Sequence, residues 1–176
     1  NKRDTLLEII NQGWLGLCLR RIKDTEEFCL ITSRLDPRRT TKIVKKLEEF
    51  SSNSDYIINV SKDQLVLATD LHSDNVFFTK DKTVEFIDVY LPKTTWAVVD
   101  NFHNICRLAI DVRVLGDDKK AEIMYENWDT DAAKISEKIK LFYEIECALI
   151  KEAYYYMINK QDLAKKYGEF INTNYS

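Results

Sequence analysis

Beyond Pro92 the chain carries no further proline, and its apolar residues recur at three- and four-residue intervals. That pattern builds one apolar stripe along a helix, and the absence of proline leaves nothing to break the backbone hydrogen-bond ladder. The spacing predicts helices over roughly Asp100 to Leu115, Asp117 to Asn127, Asp131 to Met157 and Gln161 to Ile171, with Gly116, Asn159 and Gly168 as the breaks. The third segment places Ile135, Ile139, Phe142, Ile145, Leu149, Ala153 and Tyr156 on one stripe, as expected of a central core helix.

The N-terminal half is more mixed. Asp4 is a candidate cap for a short helix ending at Gly13, and Trp14 to Ile22 reads as a strand. A short helical piece spans Glu26 to Ser33. Asp36-Pro37 then pairs a capping side chain with a proline at the first helical position, and Ile43, Val44, Leu47 and Phe50 follow at helical spacing until Ser51-Ser52-Asn53-Ser54 ends the helix. Leu65 to Ala68 is a brief apolar strand. Val76 to Thr79 and Val84 to Ile87 form a hairpin around the turn Lys80-Asp81-Lys82. These elements predict an α+β fold that is mainly α, with no internal repeat.

Composition removes several function classes. A formal charge of -3 argues against a general nucleic-acid binder, although basic residues gather at Arg20, Arg21 and Lys23 and again from Arg38 to Lys46. No apolar run reaches the ~18 residues of a membrane span, and the N-terminus lacks the pattern of a signal peptide, so a cytoplasmic location is expected. Cys18, Cys29, Cys106 and Cys147 are widely spaced in apolar surroundings without a C-x-x-C pair, which predicts buried thiols rather than zinc or disulfides. Because the chain opens at Asn1 without Met, it is expected to be a fragment or processed product of something longer.

The chemistry concentrates between the first strand and the end of the hairpin. Asp70 is followed five residues later by Asn75, and the hairpin ends at Asp88. This spacing matches the catalytic base and two Mg²⁺ ligands of kinase-like enzymes, in which phosphoryl transfer needs an oriented acceptor, a proton acceptor and neutralisation of phosphate charge. Asp70 is the candidate base, and Asn75 and Asp88 the candidate metal ligands, since hard cations prefer oxygen donors. The bland alternative is that Asp and Asn sit here only because they favour turns. Asp74 is expected to face solvent or cap the loop. His103, beside Phe102, is expected to be a packed or surface histidine, and Glu126, Asp129, Asp131, Glu144 and Glu146 are expected to be solvated helix acids. Of Tyr154, Tyr155 and Tyr156, three directions around a helix allow at most two to line a pocket.

The motif Asp70-Leu71-His72 with Asn75, followed by Phe86-Ile87-Asp88, resembles the H-G-D-L-H-x-x-N and F-I-D loops of the aminoglycoside phosphotransferase and choline kinase superfamily. It is most similar to phosphotransferase-like domains fused to small P-loop kinase modules. Trp96, the stretch Asn104 to Asp111, and Phe142-Tyr143 through Lys151 look like further family segments, and Leu17 to Arg21 is similar to the strand joining the two lobes. The resemblance covers about residues 14 to 172. It implies a single kinase-like C-terminal lobe over 1-176, with a helix and hinge-like strand at 1-22, the catalytic and metal loops at 65-88, and a helical bundle at 94-172. It further implies Mg²⁺ and ATP as cofactors, a small-molecule alcohol as acceptor, a loop-organising role for His72, and neither nucleic acid nor membrane as partner.

The chain departs from that pattern at three places. Ala68-Thr69 replaces the His-Gly before the catalytic Asp, and Asn104 stands where the family has an Asp that braces the loop. With only four glycines, no Gly-rich nucleotide loop is present, so an N-terminal lobe is expected to be missing, vestigial or supplied by a partner chain. Two function readings follow. One is the catalytic lobe of an ATP-dependent small-molecule phosphotransferase; the other is a catalytically inactive kinase-like binding or scaffolding module.

Overall fold

Asp36 accepts hydrogen bonds at one carboxylate oxygen from the backbone amides of Arg38 (2.9 Å) and Arg39 (3.4 Å), satisfying two of the amides that a helix start leaves open. Pro37 takes the first helical position, where no N–H is needed. Helix α1, Pro37–Ser51, follows as the sequence predicts, with Ile43 and Leu47 on its buried side. The computed structural model describes residues 33–51, 65–67, 71–87, 98–128 and 137–175. The elements predicted before Ser33 lie outside them.

Strand β1, Leu65–Leu67, pairs antiparallel with β4, Val98–Asp100, in the register Leu65 to Asp100 and Leu67 to Val98. Between them lie a 3-10 turn at Ser73–Asn75 and the hairpin of β2, Val76–Phe78, with β3, Val84–Phe86, in the register Val76 to Phe86 and Phe78 to Val84. The tip is closed by the Thr79 amide on the Thr83 carbonyl (2.9 Å) and by a 2.6 Å contact between the two threonine hydroxyls, while Lys82 takes a left-handed φ of 62°. The helices are α2, Asn101–Leu115, α3, Asp118–Asn127, α4, Glu137–Met157, and α5, Gln161–Tyr175. The fold is mainly helical, with two small antiparallel sheets among the described residues.

The chain divides into two compact units, and α4 contributes its first part to one and its last part to the other. In the unit spanning 61–147, Phe102, Ile105, Ala109 and Ile110 of α2 are buried, as are Ala121 and Tyr125 of α3 and Ile139, Phe142, Tyr143 and Ile145 of α4. Phe102 stacks on Tyr125 with ring centres 5.5 Å apart. Cys106 and Cys147 are buried thiols in no disulfide, as expected, and Cys18 and Cys29 lie outside the described residues. Asp117 caps α3 by accepting from the amides of Lys119 and Lys120, so the break at Gly116 falls where the sequence puts it. Strand β4 was not anticipated, because its residues read as the approach to α2.

In the other unit, α1 and the last part of α4 share a core with α5. Leu47, Leu149, Ala153, Tyr155, Tyr167 and Ile171 are buried there, and Tyr155 stacks on Tyr167 at 5.6 Å. Asn159 turns the chain between α4 and α5 with a φ of 59°, a conformation that Asn tolerates better than most residues. Two expectations need correction. Gly168 does not break α5, which runs on to Tyr175; it is buried in mid-helix, and a Cβ there would lie 2.5 Å from the Glu152 carboxylate. Tyr155 rather than Tyr156 faces the core, leaving Tyr154 and Tyr156 exposed.

Candidate functional site

Of the three predicted site residues, Asn75 is described, while Asp70 and Asp88 lie outside the described residues. Asn75 is buried, with 6% of its surface exposed, at the end of the 3-10 turn. Its amide donates to the His72 carbonyl (3.0 Å), and its own carbonyl accepts from the amide of Ile87 (3.0 Å), the residue before Asp88. The backbone therefore joins the segment carrying Asn75 to the end of β3 directly. A hairpin with this register makes that bond natural, since Val76 and Phe86 are already paired.

The turn is organised from both sides. His72 caps it, with Nδ1 accepting from the Asp74 amide at 3.3 Å, which matches the loop-organising role expected of it. Asp74 Oδ2 lies 3.9 Å from the same nitrogen. Asp74 itself is exposed, as expected. From α2, Asp111 accepts the Ser73 amide at 2.8 Å, and its carboxylate is fully buried. The sequence pointed to position 104 for this bracing role; Asp111, seven residues later on the same helix face, is bonded to the loop. Asn104 is buried on that face as well. A carboxylate within the apolar run Leu108-Ala109-Ile110-Asp111-Val112 is the signal that marks it.

Of the helix acids, Glu126 is exposed, as expected, Asp129 and Asp131 lie outside the described residues, and two depart from expectation. Glu144 and Glu146 are buried rather than solvated. Glu144 accepts from the Tyr125 hydroxyl (2.7 Å) and from Arg113 Nε and Nη2 (3.2 and 3.1 Å), while Arg113 also meets Asp118 and Glu122. Lys140 completes the group by pairing with Glu122 and Glu137. Burial raises the Glu144 carboxyl above its ordinary range even though Tyr125 and Arg113 pull the other way. At Glu122 burial also pushes upward, but hydrogen bonds from Arg113 and Lys140 prevail and lower it. Glu144 and Glu122 are thus committed to neighbouring cations.

His103 of α2 is packed, as expected, edge-on to Tyr143 at 4.9 Å, with its Nε2 3.5 Å from Glu146 Oε1. That separation is too long for a hydrogen bond but close enough for charge attraction. Burial works against its charge, yet Glu146 and the adjacent Cys147 outweigh burial and push the imidazole up to about 10.

Among the described residues no group of three His, Cys, Asp or Glu side chains converges to hold a metal. None of their helices is long and apolar enough to cross a membrane. No family model, curated protein or solved structure matches the chain.

Proposed function

We propose that the chain is a kinase-like C-terminal lobe that carries the catalytic and metal loops of an ATP- and Mg²⁺-dependent phosphotransferase acting on a small-molecule hydroxyl. The observation that supports this reading best is the Asn75 carbonyl accepting the Ile87 amide, because it joins the two segments whose acidic and amide residues would have to cooperate. One carboxamide and one carboxylate suit a hard dication, so Asn75 and Asp88 are the residues that would hold Mg²⁺. When bound, the ion would neutralise charge on the nucleotide phosphates. Asp70 would orient the acceptor and take its hydroxyl proton as the oxygen forms its bond to phosphorus and ADP leaves. Burial of Asn75 limits its rotamer freedom and keeps its carboxamide poised at little further entropic cost.

A second reading, a catalytically inactive binding or scaffolding module with the same lobe, is favoured by Ala68-Thr69 and Asn104 in place of the family residues. Millimolar MgATP or MgADP separates the two. Under the phosphotransferase reading nucleotide raises the melting temperature, by mass action on the folded state, and Asp88→Ala and Asn75→Ala each abolish the rise. No rise in the parent protein would favour the module.

A further inference from the structure

Asp111 is fully buried within an apolar stretch of α2, where leucine or methionine would pack at no electrostatic cost. A carboxylate taken out of water is unfavourable unless hydrogen bonds replace hydration, so its presence calls for a partner that needs it. One such partner is the Ser73 amide, two residues before Asn75. The amides that follow are engaged in order: Asp74 to the His72 ring, Asn75 to the His72 carbonyl, Val76 to the Ser73 carbonyl. Asp111 thus ties the start of a fully bonded turn to α2, and the Ile87 amide ties its end to β3.

We infer that Asp111 is a positioning residue that fixes the Ser73–Asn75 turn to α2 and thereby sets the orientation of the Asn75 side chain. It touches neither phosphate nor acceptor; it acts through the turn. The part of this inference that concerns nucleotide rests on the phosphotransferase reading, whereas the anchoring does not.

The test compares the full chain with Asp111→Asn, which keeps an acceptor oxygen, and Asp111→Ala, which removes it. Amide hydrogen exchange at Ser73 and the side-chain carboxamide resonances of Asn75 are followed by NMR, and MgADP affinity by calorimetry. In Asp111→Ala the Ser73 amide is expected to exchange about tenfold to a hundredfold faster, the range for losing a hydrogen bond to a charged acceptor. The Asn75 carboxamide signals shift and broaden, and MgADP binds about tenfold more weakly. Asp111→Asn restores most of each. If Asp111→Ala does not fold, the milder weakening at Ser73 in Asp111→Asn carries the decision. Unchanged Ser73 exchange, unchanged Asn75 signals, or undiminished MgADP affinity in a parent that binds it would overturn the inference. A parent that binds no MgADP but shows the Ser73 and Asn75 changes would sink the phosphotransferase reading and leave the positioning role standing.

Discussion

Hairpin β2–β3 leaves Phe77, Phe78, Val84, Phe86 and Ile87 about half exposed or more, whereas the helical unit of α1, the end of α4 and α5 buries a glutamate, Glu152, against the half-buried Arg39. In that unit Arg39 Nη1 meets both oxygens of Glu152 (2.9 and 2.8 Å), Nη2 donates to the Gly168 carbonyl (3.1 Å), and Nε donates to Asn172 (2.7 Å). The hairpin is held chiefly through backbone hydrogen bonds, and the helices through burial and matched charge. The difference teaches that substitutions in the helices should register as stability, while substitutions around the hairpin should register in whatever the adjoining turn binds.

The hardest test of that contrast is Arg39→Met. It leaves Glu152 buried without its cation; because Arg39 is itself 23% exposed, the loss is expected at or below the ~3 kcal/mol of breaking a fully buried pair. Chemical denaturation should show it as a lower midpoint with unchanged slope; an unaltered midpoint would mean that burial alone holds the helices. Glu152 already sits above its ordinary carboxyl range because of burial, with Arg39 opposing that rise, and this is why the loss is large.

A smaller effect lies in pH. His103 is raised from 6.5 to about 10 in the folded chain. The folded state therefore holds a proton that the unfolded state releases first. Its contribution is complete below pH 6.5 and disappears as pH climbs toward 10, at up to about 1 kcal/mol per pH unit. Denaturation midpoints measured between pH 7 and 9 should fall in the parent and stay flatter in His103→Gln. Equal slopes would show that the His103–Glu146 pair contributes nothing to the stability of the unit that carries the hairpin.

The smallest expected effect is Phe78→Ser. With 81% of Phe78 exposed, stability should move by less than about 0.5 kcal/mol. A larger loss in the same denaturation experiment would place the hairpin among the stability-bearing parts and erase the distinction.

Much of the helical framework was legible because its signals are local. The Asp36 cap, the Gly116 and Asn159 turns, and the core stripe through Ile139, Phe142, Ile145 and Leu149 each depend on residues within a turn or two. The hairpin was legible for the same reason. What escaped depends on neighbours distant in sequence. Strand β4 exists because β1 lies beside it, Gly168 continues a helix because Glu152 fills the space where its side chain would be, and Tyr155 turns inward to stack on Tyr167. At the candidate site, local spacing pointed to Asn75 as a candidate ligand, and the resemblance pointed to an organising role for His72. Asp111 was missed because its partner lies 38 residues away.

Gly168 also limits how this sequence can drift. The volume that alanine would need is already taken by a carboxylate, and that carboxylate is clamped by a guanidinium from α1. Amino-acid identity at positions 39, 152 and 168 is consequently a joint choice. Alanine becomes admissible at 168 only once the acid has moved or gone, and an arginine at 39 then loses its charge partner and keeps only its bonds to Gly168 and Asn172, so replacements tolerated as a trio should fail one at a time.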